Sequence, residues 1–204
     1  GMRYTDGDTM DIVEMVLGGL VNQQIVQMIN SQGGRAVGMT GKDGGLLRAR
    51  QMKVSAHGRD VDVGLVGKVE AVNAAVVSLL YHADFIPVIA PIGADDQGQA
   101  LNINADLAAA HIAMALQAES LFLLTNTAGV LDSSGELMVE LSAKKAEKML
   151  AEGIINGGMK PKVNCALDAV RGGVRSCRII NGTERHSLLL EIFTNAGAGT
   201  QILP

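Results

Sequence analysis

Three segments of the sequence combine residue types that can bind a charged ligand, and the first spans residues 102–106. It reads Asn-Ile-Asn-Ala-Asp and comes immediately before an Ala-rich stretch that is predicted to be helical. Two amides and a carboxylate would meet the unpaired backbone N–H groups of a helix start, which suit a carboxylate or a phosphate ligand. Asn and Asp are also favoured as plain helix caps, so the spacing alone leaves both interpretations open.

The other two segments combine glycine with polar or basic residues. Residues 123–131, Leu-Leu-Thr-Asn-Thr-Ala-Gly-Val-Leu, read as an apolar strand that enters a loop whose backbone can contact a nucleotide. Residues 157–162, Gly-Gly-Met-Lys-Pro-Lys, place two lysines at a predicted helix start, where an ammonium group can bridge transferring phosphates. The alternatives are an ordinary strand-to-turn connection and a pair of solvated lysines.

Composition excludes several other functional classes. The chain carries 17 basic and 21 acidic side chains and only 2% aromatic residues, so nucleic-acid binding is not expected. The four histidines and two cysteines show no metal-ligand spacing, so no metal site is predicted, and the cysteines are expected in the core. The glycine patterns of P-loop and dinucleotide-binding proteins are absent.

The periodicity of apolar residues predicts an α/β fold. Helical spacing runs from Thr9, a candidate cap, to about Ser31, and residues 46–62 are predicted to form an exposed hairpin. Gly64 and Gly67 mark expected bulges in a following strand, and residues 85–92 are predicted to form a strand buried on both faces. The second half repeats this alternation, which predicts a parallel sheet with helices on both faces and no sharp domain boundary.

Neither a membrane span nor an export signal is predicted. No run of about 18 uninterrupted apolar residues is present. The first residues are polar and acidic, unlike a signal peptide. The expected localisation is cytoplasmic.

Taken in order, the motifs resemble those of the acetylglutamate kinases, which are members of the amino-acid kinase family. The resemblance covers essentially the whole chain, and the stretches that carry it include three beyond the segments above. These are Arg-Tyr-Thr at 3–5, Gly-Lys-Asp-Gly at 41–44, and Leu-Glu-Ile-Phe-Thr at 190–194 followed by Gly-Thr at 199–200.

The resemblance implies a three-layer αβα fold with a mainly parallel, open central sheet. It also implies transfer of a phosphoryl group from ATP, accompanied by Mg²⁺, to the side-chain carboxylate of N-acetyl-L-glutamate in arginine biosynthesis. Residues 1–100 would form the acetylglutamate-binding and dimerisation part, and residues 101–204 the ATP-binding part. A homodimer or higher homo-oligomer is expected through the helix at 9–31.

Individual roles follow from the matched positions. Arg3 is expected to clamp a substrate carboxylate, and Asn102 and Asn104 to bind the same substrate. Asp106 would organise the lysines around the phosphates, and Lys162 would stabilise charge on the transferring group. The residues expected to bind ATP are Thr125, Asn126, Gly129, Val130, Leu131 and Met159, together with the stretch 154–160.

The chain also departs from the family pattern. Family members usually begin with a longer segment that contains a lysine and Gly-rich loops, and nothing here matches it, so this chain is expected to correspond to their carboxyl-terminal two-thirds and to lack measurable kinase activity when alone. Asp often stands where this chain has Asn126.

His186, Glu191 and Gly199 are candidates for part of a site for arginine as a feedback inhibitor. The alternatives are another carboxylate or carbamate kinase of the family and a non-catalytic amino-acid-binding module.

Overall fold

A computed structural model describes residues 4–56, 59–194 and 197–204, and it confirms the α/β class. Helices and strands alternate through most of the chain. The helices are α1 (Gly7–Ser31), α2 (Ala75–His82), α3 (Ala105–Ala115), α4 (Ala143–Ala151), α5 (Met159–Arg171) and α6 (Ser187–Phe193). The strands are β1 (Ala36–Thr40), β2 (Leu47–Ala56), β3 (Arg59–Val72), β4 (Ile86–Ala90), β5 (Ile92–Ala94), β6 (Ala100–Ile103), β7 (Ser120–Thr125), β8 (Glu140–Ser142), β9 (Ser176–Asn181) and β10 (Gly199–Leu203).

The chain divides into two compact units, with the boundary between Leu116 and Gln117. Strand β6 and helix α3 belong to the first unit because β6 pairs with both β5 and β3, and α3 packs on β3.

Helix α1 begins two residues earlier than the sequence indicated. Asp6, and not Thr9, is its N-cap, and the Asp6 carboxylate accepts a hydrogen bond of 2.8 Å from the Thr9 backbone N–H. Hydrogen bonds from the Thr9 side chain and backbone hold the pKa of the Asp6 carboxyl below its usual value. The middle of the helix, Glu14–Val21, is π-helical.

Asn22 joins α1 to the strands beneath it. Its buried side-chain amide donates to the carbonyl oxygens of Met39 in β1 and Val88 in β4, at 3.2 and 2.8 Å. A Cβ at position 38 would overlap the Asn22 Oδ1 atom, so Gly38 is required for this approach. One buried polar side chain therefore ties the helix to both strands of a sheet.

Strands β1 and β4 form a two-stranded parallel sheet with unequal edges. On the outer edge of β1, the Asn30 side chain pairs with both the N–H and the carbonyl oxygen of Ala36, and Asp43 accepts from the Thr40 N–H. The apolar run 85–92 is not one strand buried on both faces, because Ile86 is 46% exposed and Pro91 separates β4 from β5. In the described residues, β4 pairs only with β1.

The predicted hairpin forms and is part of a small closed barrel of strand order β2-β3-β6-β5. Gln51 pairs with Gly67 but Lys53 pairs with Asp62, so β3 bulges between these positions. Gly64 lies in this bulge as expected, whereas Gly67 pairs with Gln51 and Ile103 and does not. The backbone of Thr5 fills the bulge: its N–H donates to Val63 at 3.1 Å, and its carbonyl oxygen accepts from Leu65 at 2.6 Å.

The second unit contains a four-stranded sheet of order β7-β9-β10-β8. Strands β7 and β9 are parallel, whereas β10 runs antiparallel to β9, so the sheet is mixed. Helix α5 packs on β9 and β10 through an apolar face that includes Cys165. Cys165 and Cys177 are both buried, as predicted.

Helix α1 has the length and mean hydropathy that a membrane-spanning helix needs, although it contains no uninterrupted run of 18 apolar residues. Of the helices that the structure describes, only this 25-residue helix meets that test, on length and composition alone. Those two criteria are weak evidence, since helices of soluble proteins also meet them. The contacts of Asn22 with β1 and β4 instead attach one face of α1 to protein.

The bulge in β3 gives a stability prediction. Gly64 has φ +70°, and a Cβ there would overlap the Thr5 carbonyl group, so Gly64→Ala should cost about 2–4 kcal/mol of unfolding free energy. Gly98 also has a positive φ, +81°, but faces open space, so the control Gly98→Ala should cost only about 1–2 kcal/mol. Urea unfolding measures both, and equal losses would contradict the steric role of Gly64.

Candidate substrate and nucleotide sites

The first unit places Asn102 next to the N-terminal segment of the chain. Asn102 lies on β6 opposite Val66 of β3, and its Nδ2 atom donates to the hydroxyl of Thr5 over 3.3 Å. Thr5 itself is only 1% exposed. Arg3, the expected carboxylate clamp, lies outside the described residues. The sequence analysis assigned no role to Thr5, although Gly64 marked an irregularity in β3, the strand that Thr5 contacts.

Asn104 and Asp106 take different positions at the start of α3. The Asn104 side chain accepts from the Leu107 backbone N–H at 3.1 Å, so it is the helix N-cap. This contact supports the capping interpretation for Asn104. Asp106 lies in the first turn and is half-buried.

The second unit contains a cavity of about 220 Å³ at the carboxyl end of β7. Ligands of open α/β sheets bind at this end of the strands. The cavity combines the glycine-containing loop after β7 with the segment that precedes and begins α5. Its lining residues are Thr127, Gly129, Val130, Leu131, Ile154, Ile155, Asn156 and Met159.

Four of the residues expected to bind ATP are therefore in one cavity wall: Gly129, Val130, Leu131 and Met159. Thr125 and Asn126 lie just outside it, at the end of β7, where the Thr125 carbonyl oxygen accepts from Gly182. The mixture of aliphatic side chains with Thr127 and Asn156 at this site suits a flat, largely apolar group that carries polar edges.

Thr200, in β10, supports the cavity wall through a hydrogen bond to the loop. Its Oγ1 atom accepts from the Val130 backbone N–H at 2.8 Å, and both residues are fully buried. A Cβ at position 129 would lie 2.6 Å from the same Oγ1 atom, so Gly129 allows the loop to approach β10. Sequence reasoning did not assign this role to Thr200.

Helix α5 carries two lysines in its first turn, where the Met159 N–H donates to the Asn156 carbonyl oxygen and Pro161 has no N–H. No side chain caps its start at Gly158. Lys162 is half-buried and Lys160 is exposed. A helix of 13 residues with basic side chains at its N-terminus favours an anionic ligand there.

Two other charged side chains already have hydrogen-bond or ion-pair partners within the chain. The Nζ atom of Lys42 lies 2.5 Å from a Glu14 carboxylate oxygen, so this lysine is used to join the loop after β1 to α1. The Asp132 carboxylate accepts from Ser134 and Glu136 within one turn, and the Ser134 hydroxyl contributes most to holding its pKa below the usual value.

The candidate arginine-site residues have separate structural roles. Glu191 is buried, and its carboxylate accepts from Arg178 at 2.9 Å and from the Ala198 N–H at 2.5 Å. His186 lies before α6 with φ +64°, and Gly199 begins β10. The carboxylate of Glu191 is thus already paired with a guanidinium group of the chain itself.

A resident metal centre is not found in the part of the chain that the structure describes. Within residues 4–56, 59–194 and 197–204, no three His, Cys, Asp or Glu side chains are grouped so that they could hold a metal ion.

Comparison with known proteins agrees with these features. The model of the amino acid kinase family matches residues 2–181. Acetylglutamate kinases from Halorhodospira halophila and Chromobacterium violaceum are each 56% identical to this chain over 99% of its length, which corresponds to 69% and 70% of those proteins.

Solved structures give the same fold. N-acetylglutamate synthase from Neisseria gonorrhoeae, complexed with coenzyme A and N-acetyl-glutamate, superposes with a TM-score of 0.86 at 30% identity, covering all of this chain and 46% of the synthase. This chain therefore spans less than half the length of that protein. Carbamate kinase from Giardia lamblia superposes over 96% of this chain and 73% of its own, with a TM-score of 0.61 at 15% identity, which shows the fold alone.

The Thr200 contact gives a prediction about the cavity wall. Thr200→Val should cost about 1–3 kcal/mol of unfolding free energy, because the buried Val130 N–H loses its acceptor. Thr200→Ser keeps the hydroxyl and should cost about 1 kcal/mol or less, the value of one methyl group. Chemical unfolding measures both variants. A Val variant as stable as the Ser variant would show that the hydrogen bond is unimportant.

Proposed function

This chain belongs to the amino acid kinase family, and on that premise we propose that it transfers the γ-phosphoryl group of ATP to the side-chain carboxylate of N-acetyl-L-glutamate. The acetylglutamate kinases at 56% identity support this substrate. The observation that carries the proposal is the cavity at the end of β7, which joins two sequence segments expected to bind ATP. The role in arginine biosynthesis and a cytoplasmic location follow from the same proposal.

The proposed reaction forms one bond and breaks one. A side-chain carboxylate oxygen of acetylglutamate attacks the γ-phosphorus of ATP, the bond from that phosphorus to the bridging oxygen breaks, and ADP leaves with the electron pair. The product is an acyl phosphate. Such transfers depend mainly on positioning and on stabilisation of charge.

Each unit contributes residues to this proposal. The loop 127–131 and the segment 154–159 receive the base and ribose, while Lys162 stabilises the phosphates. In the first unit, Asn102 and Arg3 bind acetylglutamate, and Asp106 supplies a carboxylate at the start of α3. Asn104 contributes through the start of α3, where it caps the helix.

Mg²⁺ accompanies ATP in this proposal and neutralises charge on its phosphates. Mg²⁺ in such sites is usually held by substrate phosphates, waters and one or two carboxylates. Asp106, in the first turn of α3, would supply one such carboxylate.

L-Arginine is a second proposed ligand, as an inhibitor. N-acetylglutamate synthase from Neisseria gonorrhoeae has been solved with L-arginine, and that structure superposes on this chain with a TM-score of 0.80 at 29% identity. The Glu191 carboxylate already accepts hydrogen bonds from Arg178 and from the Ala198 N–H. Glu191 would therefore contribute to such a site by positioning these two groups. Calorimetric titration with L-arginine tests this proposal, and absence of a heat of binding would refute it.

Activity and binding are measured together to test the main proposal. Hydroxylamine traps acyl phosphate in a mixture of the protein, ATP, Mg²⁺ and N-acetyl-L-glutamate, and calorimetry follows each ligand separately. Product that requires both substrates supports the kinase. Binding of both ligands without product agrees with the expectation that this chain is inactive when alone. Binding of acetylglutamate without binding of ATP identifies a non-catalytic binding module instead, and binding of neither ligand refutes both functions.

In any preparation that forms product, Lys162→Ala should lower turnover by about 10²–10³-fold, because one preorganised charge at a transferring group is lost. It should also weaken ATP binding while leaving adenosine binding unchanged, since adenosine lacks the phosphates. The matched control is Lys160→Ala, in the same helical turn but exposed, which should leave both quantities within about twofold. Equal effects of the two variants would contradict the role of Lys162.

The outer face of α1 supports the proposed homodimer. It exposes Ile12, Met15, Val16, Leu20 and Met28, and a groove lined by residues 19–28 runs beside Leu20. Exposed apolar surface of this extent is typical of protein interfaces.

Leu20→Glu should therefore shift the protein from dimer to monomer in analytical ultracentrifugation, because it places a charge in the proposed interface. Leu79→Glu is the control, since Leu79 is also exposed but lies on α2. A wild-type protein that stays monomeric at high concentration would contradict the dimer.

A further inference from the structure

The amide of Asn102 is held by a residue to which no role has been assigned. Thr5 is buried, and its hydroxyl accepts from the Asn102 Nδ2 atom. Asn102 is half-buried, so the rest of its amide is accessible to a ligand. One amide hydrogen is thereby used inside the protein, and the Oδ1 atom and the second hydrogen make no hydrogen bond within the described part of the chain.

The backbone of Thr5 is held by hydrogen bonds on both sides. Its N–H and carbonyl oxygen pair with Val63 and Leu65 on either side of the bulge. Gly64 lies between them in a parallel bridge with Thr5, and its missing Cβ is what allows this contact. The hydroxyl that contacts Asn102 therefore projects from a backbone that is fixed on both sides.

We propose that Thr5 is a positioning residue of the acetylglutamate site and that its hydroxyl fixes the amide plane of Asn102. This inference rests on the proposed function. An N-acetyl amino acid carries an amide N–H donor next to carbonyl and carboxylate acceptors. A side-chain amide held in one plane meets such a pair with an acceptor and a donor already aligned, which reduces the entropic cost of binding.

The test compares Thr5→Val, which keeps the shape of the side chain, with Thr5→Ser, which keeps the hydroxyl. Titration of the 204-residue chain with N-acetyl-L-glutamate should show about fivefold weaker binding for the Val variant, the usual worth of one hydrogen bond. The Ser variant should bind within about twofold of wild type, and ATP affinity should be unchanged in both. In an Asn102→Ala background, Thr5→Val should cause no further loss.

A ligand-free measurement separates this inference from the proposed function. In ¹⁵N-resolved spectra, the side-chain amide of Asn102, assigned by its loss in Asn102→Asp, should shift and exchange with solvent faster in the Val variant but not in the Ser variant. An Asn102 amide that is identical in wild type and the Val variant overturns the positioning role. Failure of the wild-type chain to bind acetylglutamate overturns the proposed function, and the amide resonances then still decide whether Thr5 fixes Asn102.

Discussion

The insertion of Thr5 into the bulge of β3 is the contact on which the arrangement of the first unit depends. It attaches the segment before α1 to the small barrel, and the next residue, Asp6, is the N-cap of α1. The position of the helix start is therefore set by a contact with a strand almost sixty residues away, in which the Leu65 N–H donates to the Thr5 carbonyl oxygen. From there Asn22 ties the same helix to β1 and β4. Barrel, helix and parallel sheet are linked in series through single polar residues.

The local elements of this unit were predictable, but their ends and burial were not. Apolar periodicity indicates α1, yet both Asp6 and Thr9 are good caps, and only the anchored Thr5 selects Asp6. The apolar run that contains Ile86 predicts a buried strand, but Ile86 is exposed. Hydrophobicity alone does not indicate how many neighbouring strands will cover such a run. The bulge was visible in advance because glycine in a strand has few other uses.

In the candidate sites too, residues that lie close together in sequence could be predicted, whereas residues that meet only through the fold could not. The loop at 129–131 and Met159 could be identified because glycine, lysine and turn residues lie close together in sequence. Thr200 could not, since it supports Val130 across 70 residues and looks like any strand residue. The Arg178–Glu191 pair was hidden for another reason: a glutamate in an apolar helix gives no sign of which cation it meets.

The unequal edges of the β1–β4 sheet limit aggregation through strand pairing at those edges. An uncovered strand edge is a template for any passing extended peptide, and such templates nucleate aggregation. On β1, Asn30 and Asp43 occupy the backbone groups of Ala36 and Thr40, so a foreign strand finds its hydrogen-bonding partners taken. On β4, Ile86 donates towards β1, so Pro87 falls on the opposite edge and supplies no N–H there. Within the described residues, both edges of this two-stranded sheet therefore offer fewer hydrogen bonds to an added strand than a regular edge would.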